Sequence, residues 1–184
     1  MILVDKTILS EIDKGNIKVV PFNREYLGTN SIDLTLNPEI LVYRNDVLDC
    51  KSINTTKPIT IPNEGMVLMP GQLYIASTNE YTETLNAVPK LEGKSSLGRL
   101  GLFIHVTAGY GDVGFKGTWT LELVATVPIR IYPNMKICQI SYHGISEQPL
   151  VSYDVKEGAK YSGQSGATAS KMEQNFECKA LKYI

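Results

Sequence analysis

The chain has 184 residues, of which 43% are hydrophobic, and its formal net charge is −1 at pH 7. A chain of this length can bury the core of one domain, so we expect residues 1–184 to form a single unit. The near-zero charge excludes a general attraction to nucleic acid or to anionic membranes, and any anion must therefore be bound by a local site.

The cysteines and the N-terminal segment bear on the cellular compartment. Cys50, Cys138 and Cys178 are far apart in the sequence. An odd, sparse set argues against a disulfide framework and favours a reducing cytosol. The N-terminal segment carries Asp5 and no long apolar run, so it predicts neither a signal peptide nor a membrane span. We therefore expect a cytoplasmic protein.

Most of the predicted elements are strands. Asp5 is suited to cap one short helix, which ends at Gly15 and carries Ile8, Leu9 and Ile12 on one face. Apolar or alternating runs separated by Pro, Gly and Asn turns predict strands at 17–20, 31–36, 40–43, 59–61, 66–68, 73–77, 87–91, 129–132 and 136–142. Many short strands at close spacing indicate an antiparallel barrel or sandwich.

Two stretches lack a strand pattern. Residues 46–56 are polar and are predicted to form a loop. From Tyr153 the chain is polar, small and glycine-rich, without the periodicity of a core element. We expect residues from about 153 to 184 to form a mobile tail or a segment that a ligand orders.

Residues 92–122 read EGKSSLGRLGLFIHVTAGYGDVGFKGTWTLE. Apolar runs alternate there with many Gly, Ser and Thr residues. The basic side chains of Lys94, Arg99 and Lys116 stand beside the carboxylates of Asp112 and Glu122. A plain core strand does not need this mixture, so the stretch predicts a site for a charged, polar ligand.

Residues 93–95 (Gly-Lys-Ser) are similar to the end of a phosphate-binding P-loop. The complete motif requires a glycine where Val88 stands and a helix afterwards, and residues 97–101 are poor helix formers, so we reject a P-loop. What remains is a turn with consecutive hydroxyls, where backbone N–H groups and the planar Arg99 side chain can hold phosphates. The alternative is a solvated hairpin turn.

Glu122 lies in a strand-like run that otherwise resembles a core. Trp119, Leu121 and Leu123 fall on one face, and Thr120 and Glu122 fall on the other. A carboxylate in such an apolar strand is costly unless it is paired or functional. The alternative is a solvent-facing glutamate on an outer sheet.

Asp112 stands between Gly111 and Gly114, so the backbone there can approach a ligand closely. Phe115 follows and could pack against a sugar. The alternative is a turn aspartate followed by a core phenylalanine. Asp33, on the polar face of the strand at 31–36, is as well explained as a turn or cap acceptor.

The sequence offers no support for a zinc site. Zinc nucleobase deaminases carry His-x-Glu and Pro-Cys-x-x-Cys, whereas His105 is followed by Val106 and Thr107 and no two cysteines are close. We interpret His105 as a structural histidine and expect no mononuclear zinc centre.

Six segments occur in a distinctive order along the chain. They are SIDLTL at 31–36, KSSLGRLGL at 94–102, HVTA at 105–108, Asp112-x-Gly114-Phe115-x-Gly117, Leu121-Glu122, and Ala159-Lys160-Tyr161 with Gln164, Gly166 and Ala167. Together they resemble the dCTP deaminase family over most of the chain. Each segment alone is weak, and their combination is specific.

The resemblance implies a fold. The family is related to trimeric dUTPases and shares their all-β, distorted jelly-roll-like barrel, here with a short N-terminal helix and a mobile C-terminal tail. The spacing of Asp112, Phe115 and Gly117 is common to both groups, whereas Glu122 is the deaminase addition. The dUTPase tail motif, Arg-Gly followed by Gly-Phe-Gly, is absent, which favours a deaminase.

By resemblance, Glu122 is the general base that takes a proton from water and passes protons to the ring nitrogen and the leaving amine. Ser95 and the backbone carbonyl of Ala108 would hold the water. Arg99 would lie near Glu122 and favour its ionised form.

The resemblance also assigns the substrate contacts. The turn at 94–96 would contact the phosphates, Asp112 would accept from the deoxyribose 3′-hydroxyl, and backbone at Thr120 and Leu121 would read the base. Three tail residues would close over the triphosphate. The implied substrate-binding residues are Lys94, Ser95, Ser96, Leu97, Gly98, Arg99, Asp112, Thr120, Leu121 and Glu122, with Tyr153, Lys160 and Gln164 from the tail.

The activity implied by the resemblance is hydrolytic deamination of dCTP to dUTP and ammonia, supplying dUTP or dUMP for thymidylate synthesis. Mg²⁺ would bind through the nucleotide phosphates, with no zinc and no metal held by the protein alone. A homotrimer would carry active sites at its subunit interfaces. Nucleic acid and membranes are not expected partners.

Two alternatives to this activity remain open. Gly109 follows Thr107 and Ala108, at a position where single-activity members often carry His and bifunctional members, which release dUMP and pyrophosphate, often carry Gly. A nucleotide-binding regulator without turnover is the other alternative, and the retention of Glu122 and Arg99 argues against it. Lys94 departs from the Arg common at its position and gives up bidentate geometry.

Overall fold

The structure, a computed structural model, describes residues 1–105 and 107–176. Strands dominate these residues. The elements are α1 (Asp5–Asp13), β1 (Ile17–Val20), β2 (Ile32–Thr35), β3 (Glu39–Tyr43), β4 (Thr56–Thr60), β5 (Met66–Leu68), β6 (Leu73–Thr84), β7 (Ala87–Gly93), α2 (Ser95–Gly98), β8 (Leu102–Ile104), β9 (Lys116–Ala125), β10 (Ile129–Ile131) and β11 (Lys136–Gly144), with short 3₁₀ helices at Arg24–Tyr26 and Met172–Asn175.

The strands form antiparallel sheets around one core, and the predicted all-β class is confirmed. The largest sheet has the order β4-β3-β6-β9-β8, with β1 also paired to β6. A second sheet has the order β2-β11-β7, and β10 pairs with β5. Alternating apolar residues from these strands, such as Leu34, Leu121 and Ile140, are fully buried together. No helix in the described part of the chain is long and apolar enough to cross a bilayer.

β6 is much longer than predicted. It continues beyond position 77 to Thr84, and its second half buries polar residues at alternate positions: Thr78, Glu80, Thr82 and Thr84. Trp119 satisfies two of them, because its main-chain N–H donates to Thr78 Oγ1 at 3.0 Å and its indole N–H donates to Thr82 Oγ1 at 2.8 Å. Alternation of apolar residues does not reveal a strand whose buried side chains are mostly hydroxyl-bearing.

The predicted cap of α1 is wrong. Val4 occupies the cap position without a side-chain hydrogen bond, and Asp5 is the first helical residue. The Asp5 carboxylate accepts from the main-chain N–H of Lys6 at 2.8 Å. An acidic residue there still favours the helix, because the unpaired N–H groups of the first turn carry partial positive charge.

The C-terminal half of α1 is tied to the sheet through Glu11. This buried carboxylate accepts hydrogen bonds from Lys14 Nζ (2.8 Å), Asn16 Nδ2 (2.8 Å) and Asn86 Nδ2 (2.6 Å). The bond from Lys14 and those from the two amides lower the pKa of Glu11 from 4.5 to about 2. Since the folded state favours the ionised form, the stabilisation is fully present above pH 4.5 and is lost as the pH falls through about 2.

Replacing Glu11 by Gln is therefore expected to lower the free energy of unfolding at pH 7 by about 1–2 kcal/mol, because it removes the charge from three hydrogen bonds. The variant should also lose part of the acid dependence of stability between pH 4.5 and about pH 2. Urea unfolding across this pH range measures both effects. The control is Asp13→Asn at an exposed position of the same helix. Equal stability curves for the Glu11 variant and the unaltered protein would contradict the assignment.

Candidate active site

A cleft with a volume of about 570 Å³, within the usual range for small-molecule sites, lies beside β9. Its walls come from the outer face of β9, the loop between β3 and β4, and the segment after residue 152. Its lining includes Ala108, Asp112, Thr120, Glu122, Tyr153 and Gln164 from the predicted set, together with Tyr43, Leu48, Asp49, Cys50, Asn54, His105, Tyr110 and Met172.

Glu122 projects from β9 into this cleft. The predicted alternation is confirmed, since Trp119, Leu121 and Leu123 are buried in the core and Thr120 and Glu122 face the other way. The Glu122 side chain is 37% exposed. Its backbone lies on a central strand of the largest sheet, so the carboxylate is presented to the cleft by a rigid element.

His105 makes two contacts with Glu122. The ring Nδ1 lies 2.6 Å from Glu122 Oε2, and the main-chain N–H of His105 donates to the Glu122 carbonyl at 3.2 Å. The His105 side chain is only 10% exposed. The sequence predicts a structural histidine here, because His105 lacks metal-ligand spacing. The feature of the sequence that could have indicated a functional role for His105 is its position in the glycine-rich stretch 92–122.

One edge of β9 carries main-chain groups into the cleft. Even-numbered residues of β9 direct these groups away from β6: the Lys116 carbonyl accepts from Gly163 N–H at 2.7 Å, and the Glu122 carbonyl accepts from His105 N–H. Thr120 lies between these contacts, so its N–H and C=O point to the same edge. Leu121 has the opposite parity and pairs with Ala76 of β6. Of the two residues expected to contact a base through main-chain groups, Thr120 therefore presents these groups at the free edge, whereas those of Leu121 face β6.

The segment from 153 to 168 lies along the free part of this edge. Gln164 forms a parallel bridge with Gly117, its main-chain carbonyl accepts from Thr118 N–H at 3.0 Å, and its side-chain amide donates to the Thr118 carbonyl at 2.8 Å. Thr168 N–H donates to the hydroxyl of Thr120 at 3.1 Å. In the structure the segment therefore lies against β9 and is joined to it by hydrogen bonds to Thr118 and Thr120. Its mobility without ligand stays a prediction, and residues 177–184 lie outside the described part.

Two glycines of the central motif make room for this segment. A Cβ at Gly114 would lie 1.9 Å from Ser152 Oγ, and a Cβ at Gly117 would lie 2.7 Å from the carbonyl oxygen of Gln164. The sequence predicts that Gly111 and Gly114, on either side of Asp112, let a ligand approach. In the structure Gly114 admits the C-terminal segment, whereas a Cβ at Gly111 would lie 2.4 Å from the Trp119 ring.

The floor of the cleft is aromatic. Phe115 stacks on Trp119 with ring centroids 4.2 Å apart, and Tyr153 lies 6.2 Å from Phe115. Phe115 is 5% exposed and belongs to the core, and it also lines the cleft, so its packing against a sugar stays a prediction. Asp112 is exposed at the cleft, where a hydroxyl donor could reach it.

The predicted phosphate turn is in a different place. Ser95–Gly98 form a single helical turn, α2, which residues 99–101 do not continue, so the turn is too short for a P-loop. Lys94 precedes it and pairs with Asp33, whose other oxygen is 3.1 Å from Lys136 Nζ. None of the residues 94–99 lines the cleft.

The expected approach of Arg99 to Glu122 is not found within one chain. Arg99 is exposed at the end of α2, and no ion pair joins it to a carboxylate among residues 1–105 and 107–176. Leu97 and Leu121 bury their side chains in the core. Lys160 is also outside the cleft, where its Nζ contacts Asn175.

The loop between β3 and β4 was missed as part of the site. Its turn is stabilised by Asp49, which accepts from Lys51 N–H at 2.9 Å and Ser52 Oγ at 3.0 Å, and these bonds lower the pKa of Asp49. The Lys51 ammonium group also lies over the Phe176 ring in a cation–π contact. The Asp-x-Lys-Ser turn pattern was visible in the sequence, but nothing in it shows that the loop reaches the C-terminal segment.

The fold and this cleft together define an all-β protein with an enzyme-like site, in which a carboxylate, a histidine and strand-edge backbone groups face a cavity for a small polar molecule. A model of the dCTP deaminase-like family matches residues 2–145. The chain belongs to this family.

Individual relatives agree with this assignment. The chain is 51% identical over 177 residues to a protein of Clostridium beijerinckii, covering 96% of this chain and 99% of that protein, and 46% identical over 179 residues to one of Leptospira biflexa, covering 97% and 100%. Both are named "dCTP deaminase, dUMP-forming". The 2′-deoxycytidine 5′-triphosphate deaminase of Agrobacterium tumefaciens shares the fold, with a TM-score of 0.62 and 20% identity over 78% of this chain and 48% of that chain.

Proposed function

We propose that this protein deaminates dCTP hydrolytically and continues to dUMP and pyrophosphate, in place of releasing dUTP. The observation that carries this proposal is the name "dCTP deaminase, dUMP-forming", which belongs to relatives about half identical over almost the whole chain. Gly109 supports it. A Cβ there would lie 2.8 Å from the carbonyl oxygen of Leu91, so the backbone packs closely at the position where the family resemblance links Gly to dual activity.

The deamination step uses Glu122 as general base. Glu122 takes a proton from water, the resulting hydroxide attacks C4 of cytosine, and the protons move to ring N3 and the amine, which leaves as ammonia. Ala108 lines the same cleft, so its carbonyl is suitably placed to hold the water. Ser95, the second expected water ligand, lies outside the cleft of its own chain.

Thr120 is proposed to read the base. Its main-chain N–H and C=O can meet an acceptor and the amino donor on the edge of cytosine. Asp112 is proposed to accept from the 3′-hydroxyl, while Tyr153 and Gln164 cover the nucleotide from the C-terminal segment. Gln164 Oε1 is buried without a partner among the described residues, as expected of an acceptor reserved for a ligand.

The phosphate contacts are proposed to come from a second copy. Residues 94–99 carry the hydroxyls and charges suited to phosphate but do not line their own cleft. Beside them, Leu100 is exposed, and Phe103 and Val124 are exposed opposite each other on β8 and β9. This apolar surface next to α2 is a suitable contact for a homotrimer, in which α2 of one subunit completes the cleft of the next.

Mixing two inactive variants tests this arrangement. Glu122→Gln and Arg99→Ala damage opposite sides of one interface site, so each homotrimer should be inactive. In random 1:1 mixing, three quarters of the trimers are mixed and each contains one intact site of three. We expect about a quarter of the unaltered activity to return after mixing. No recovery in demonstrably mixed trimers, or full activity in a monomer by light scattering, would contradict it.

Metal dependence is a separate expectation. Mg²⁺ is proposed to arrive with the nucleotide phosphates, whereas among residues 1–105 and 107–176 no three His, Cys, Asp or Glu side chains cluster as metal ligands. A zinc chelator that spares Mg²⁺, such as 1,10-phenanthroline, should leave the rate of ammonia release unchanged. Stoichiometric zinc that is lost together with activity would overturn this expectation.

Product analysis tests the function itself. The protein is incubated with dCTP and Mg²⁺, and dUTP, dUMP, pyrophosphate and ammonia are quantified. Equal amounts of dUMP, pyrophosphate and ammonia are expected. Accumulation of dUTP would show deamination alone, and nucleotide binding without ammonia would indicate a regulator.

The free thiols of Cys50 and Cys138 are consistent with a proposed cytoplasmic location.

A further inference from the structure

His105 contacts Glu122 through both its ring and its main-chain N–H. The mechanism proposed above assigns no role to His105. We propose that His105 is a positioning residue, which fixes the Glu122 carboxylate in the orientation needed to take a proton from water. This inference rests on the proposed deamination. His105 neither transfers the proton nor touches the reacting atoms in this proposal. It acts through Glu122.

The backbone at His105 is specialised for this contact. β8 ends at Ile104, and His105 has φ = 50°, in the left-handed region that residues other than glycine rarely adopt. Its N–H donates to the Glu122 carbonyl, which continues the pairing of β8 with β9 by one residue. The turn then directs the ring toward the Glu122 side chain and not along the strand. The left-handed conformation costs about 1 kcal/mol for a residue other than glycine, and it persists where contacts with the surrounding structure hold it in place.

The contact between the His105 ring and Glu122 gives the two carboxylate oxygens of Glu122 different roles. A general base is an ionised carboxylate, which only accepts hydrogen bonds, so the proposed role requires that Nδ1 carries the proton and donates to Oε2. Among the hydrogen bonds of the described residues, this is the one made by the Glu122 carboxylate. Oε1 is left for water. Without the ring, all three side-chain torsions of Glu122 could move, and a base held loosely loses rate even when its chemistry is intact.

Two substitutions separate the donor from the backbone. His105→Asn places an amide N–H close to the position of Nδ1, and Asn tolerates the left-handed region well. His105→Gly accepts the same φ without strain but has no donor. A positioning role predicts that kcat falls about 10- to 100-fold in His105→Gly with KM for dCTP nearly unchanged, and that His105→Asn restores most of the loss.

Each kinetic outcome is decisive. Equal kcat in His105→Gly and the unaltered protein would overturn the proposal, and so would an equal loss in the Asn and Gly variants. In a Glu122→Gln background, His105→Gly should cause little further loss, because the two residues act as one unit. Full additivity of the two losses would count against it. Thermal unfolding of each variant shows whether it is folded.

Nitrogen NMR provides a readout that does not depend on activity. The chain has two histidines, so His143→Gln assigns the signals. The His105 ring should carry its proton on Nδ1, and Glu122→Ala should remove that preference. A ring protonated on Nε2 alone in the unaltered protein would overturn the proposal. If the protein makes no ammonia from dCTP, the proposed function fails, while the NMR result still decides whether the His105–Glu122 pair forms.

Discussion

Glu122→Gln is expected to reduce the release of ammonia from dCTP on the order of 10²-fold or more, while nucleotide binding persists. Gln keeps the shape of the side chain and can still contact His105, but it cannot accept the proton of water. The neighbouring strands β6 and β8 hold the backbone of Glu122, so the fold should not change. Initial rates of ammonia release and calorimetric titration with dCTP measure the two properties separately.

The control for this substitution is Glu92→Gln on β7. Glu92 is exposed, pairs with Lys90 and does not line the cleft, so its loss should leave both rate and binding unchanged. Near-normal turnover in the Glu122 variant would remove this carboxylate from the mechanism. Loss of binding together with turnover would mean that Glu122 holds the nucleotide and does not activate water.

Truncation after Val155 is expected to leave a folded protein that turns over dCTP at least about tenfold more slowly. The removed segment supplies Gln164, the contacts on β9 and one wall of the cleft, and its closure excludes bulk water. Folding should survive because the residues of the buried core precede Tyr153. Circular dichroism reports the fold, and hydrogen exchange of the full chain with and without dCTP reports ordering of the segment.

Gly117→Ala tests the same docking in the full-length chain. Gly117 has φ = 144°, and a Cβ would collide with the Gln164 backbone, so the segment should be displaced with a loss like that of the truncation. Gly15→Ala is the matched control, since Gly15 has φ = 76° and open space around it. In a Cys178→Ser background, faster alkylation of Cys50, which lines the cleft, should accompany displacement. Unchanged kinetics, labelling and protection would exclude a lid.

The parts of the fold that follow apolar alternation are predictable from the sequence. Leu34 and Leu121 lie on strands that were predicted from this pattern, and the face of Glu122 follows directly from it. The second half of β6 was missed because its buried positions are Thr and Glu, whose burial depends on partners such as Trp119 that are distant in sequence. Periodicity contains no information about those partners.

The candidate site was only partly predictable for a related reason. Motif resemblance selected Glu122, Asp112 and Gln164, which the fold brings to one cleft. It also selected Arg99, whose proposed partner belongs to another copy, and a single sequence does not show what two copies bring together. The contact between His105 and Glu122 could not be predicted, because it depends on one backbone angle and a 2.6 Å distance, which no spacing pattern encodes.

The hydrogen bonds between the C-terminal segment and β9 have a consequence for solubility. Before the segment closes, the edge of β9 from Lys116 to Thr120 presents unpaired main-chain groups, and an open strand edge is a template for pairing with other chains. Gln164 and its neighbours cover that edge in the closed state. The proposed opening and closing of the segment would therefore couple the catalytic cycle to colloidal stability. Saturating nucleotide should slow aggregation on storage, and the enzyme should be most prone to self-association when it is idle.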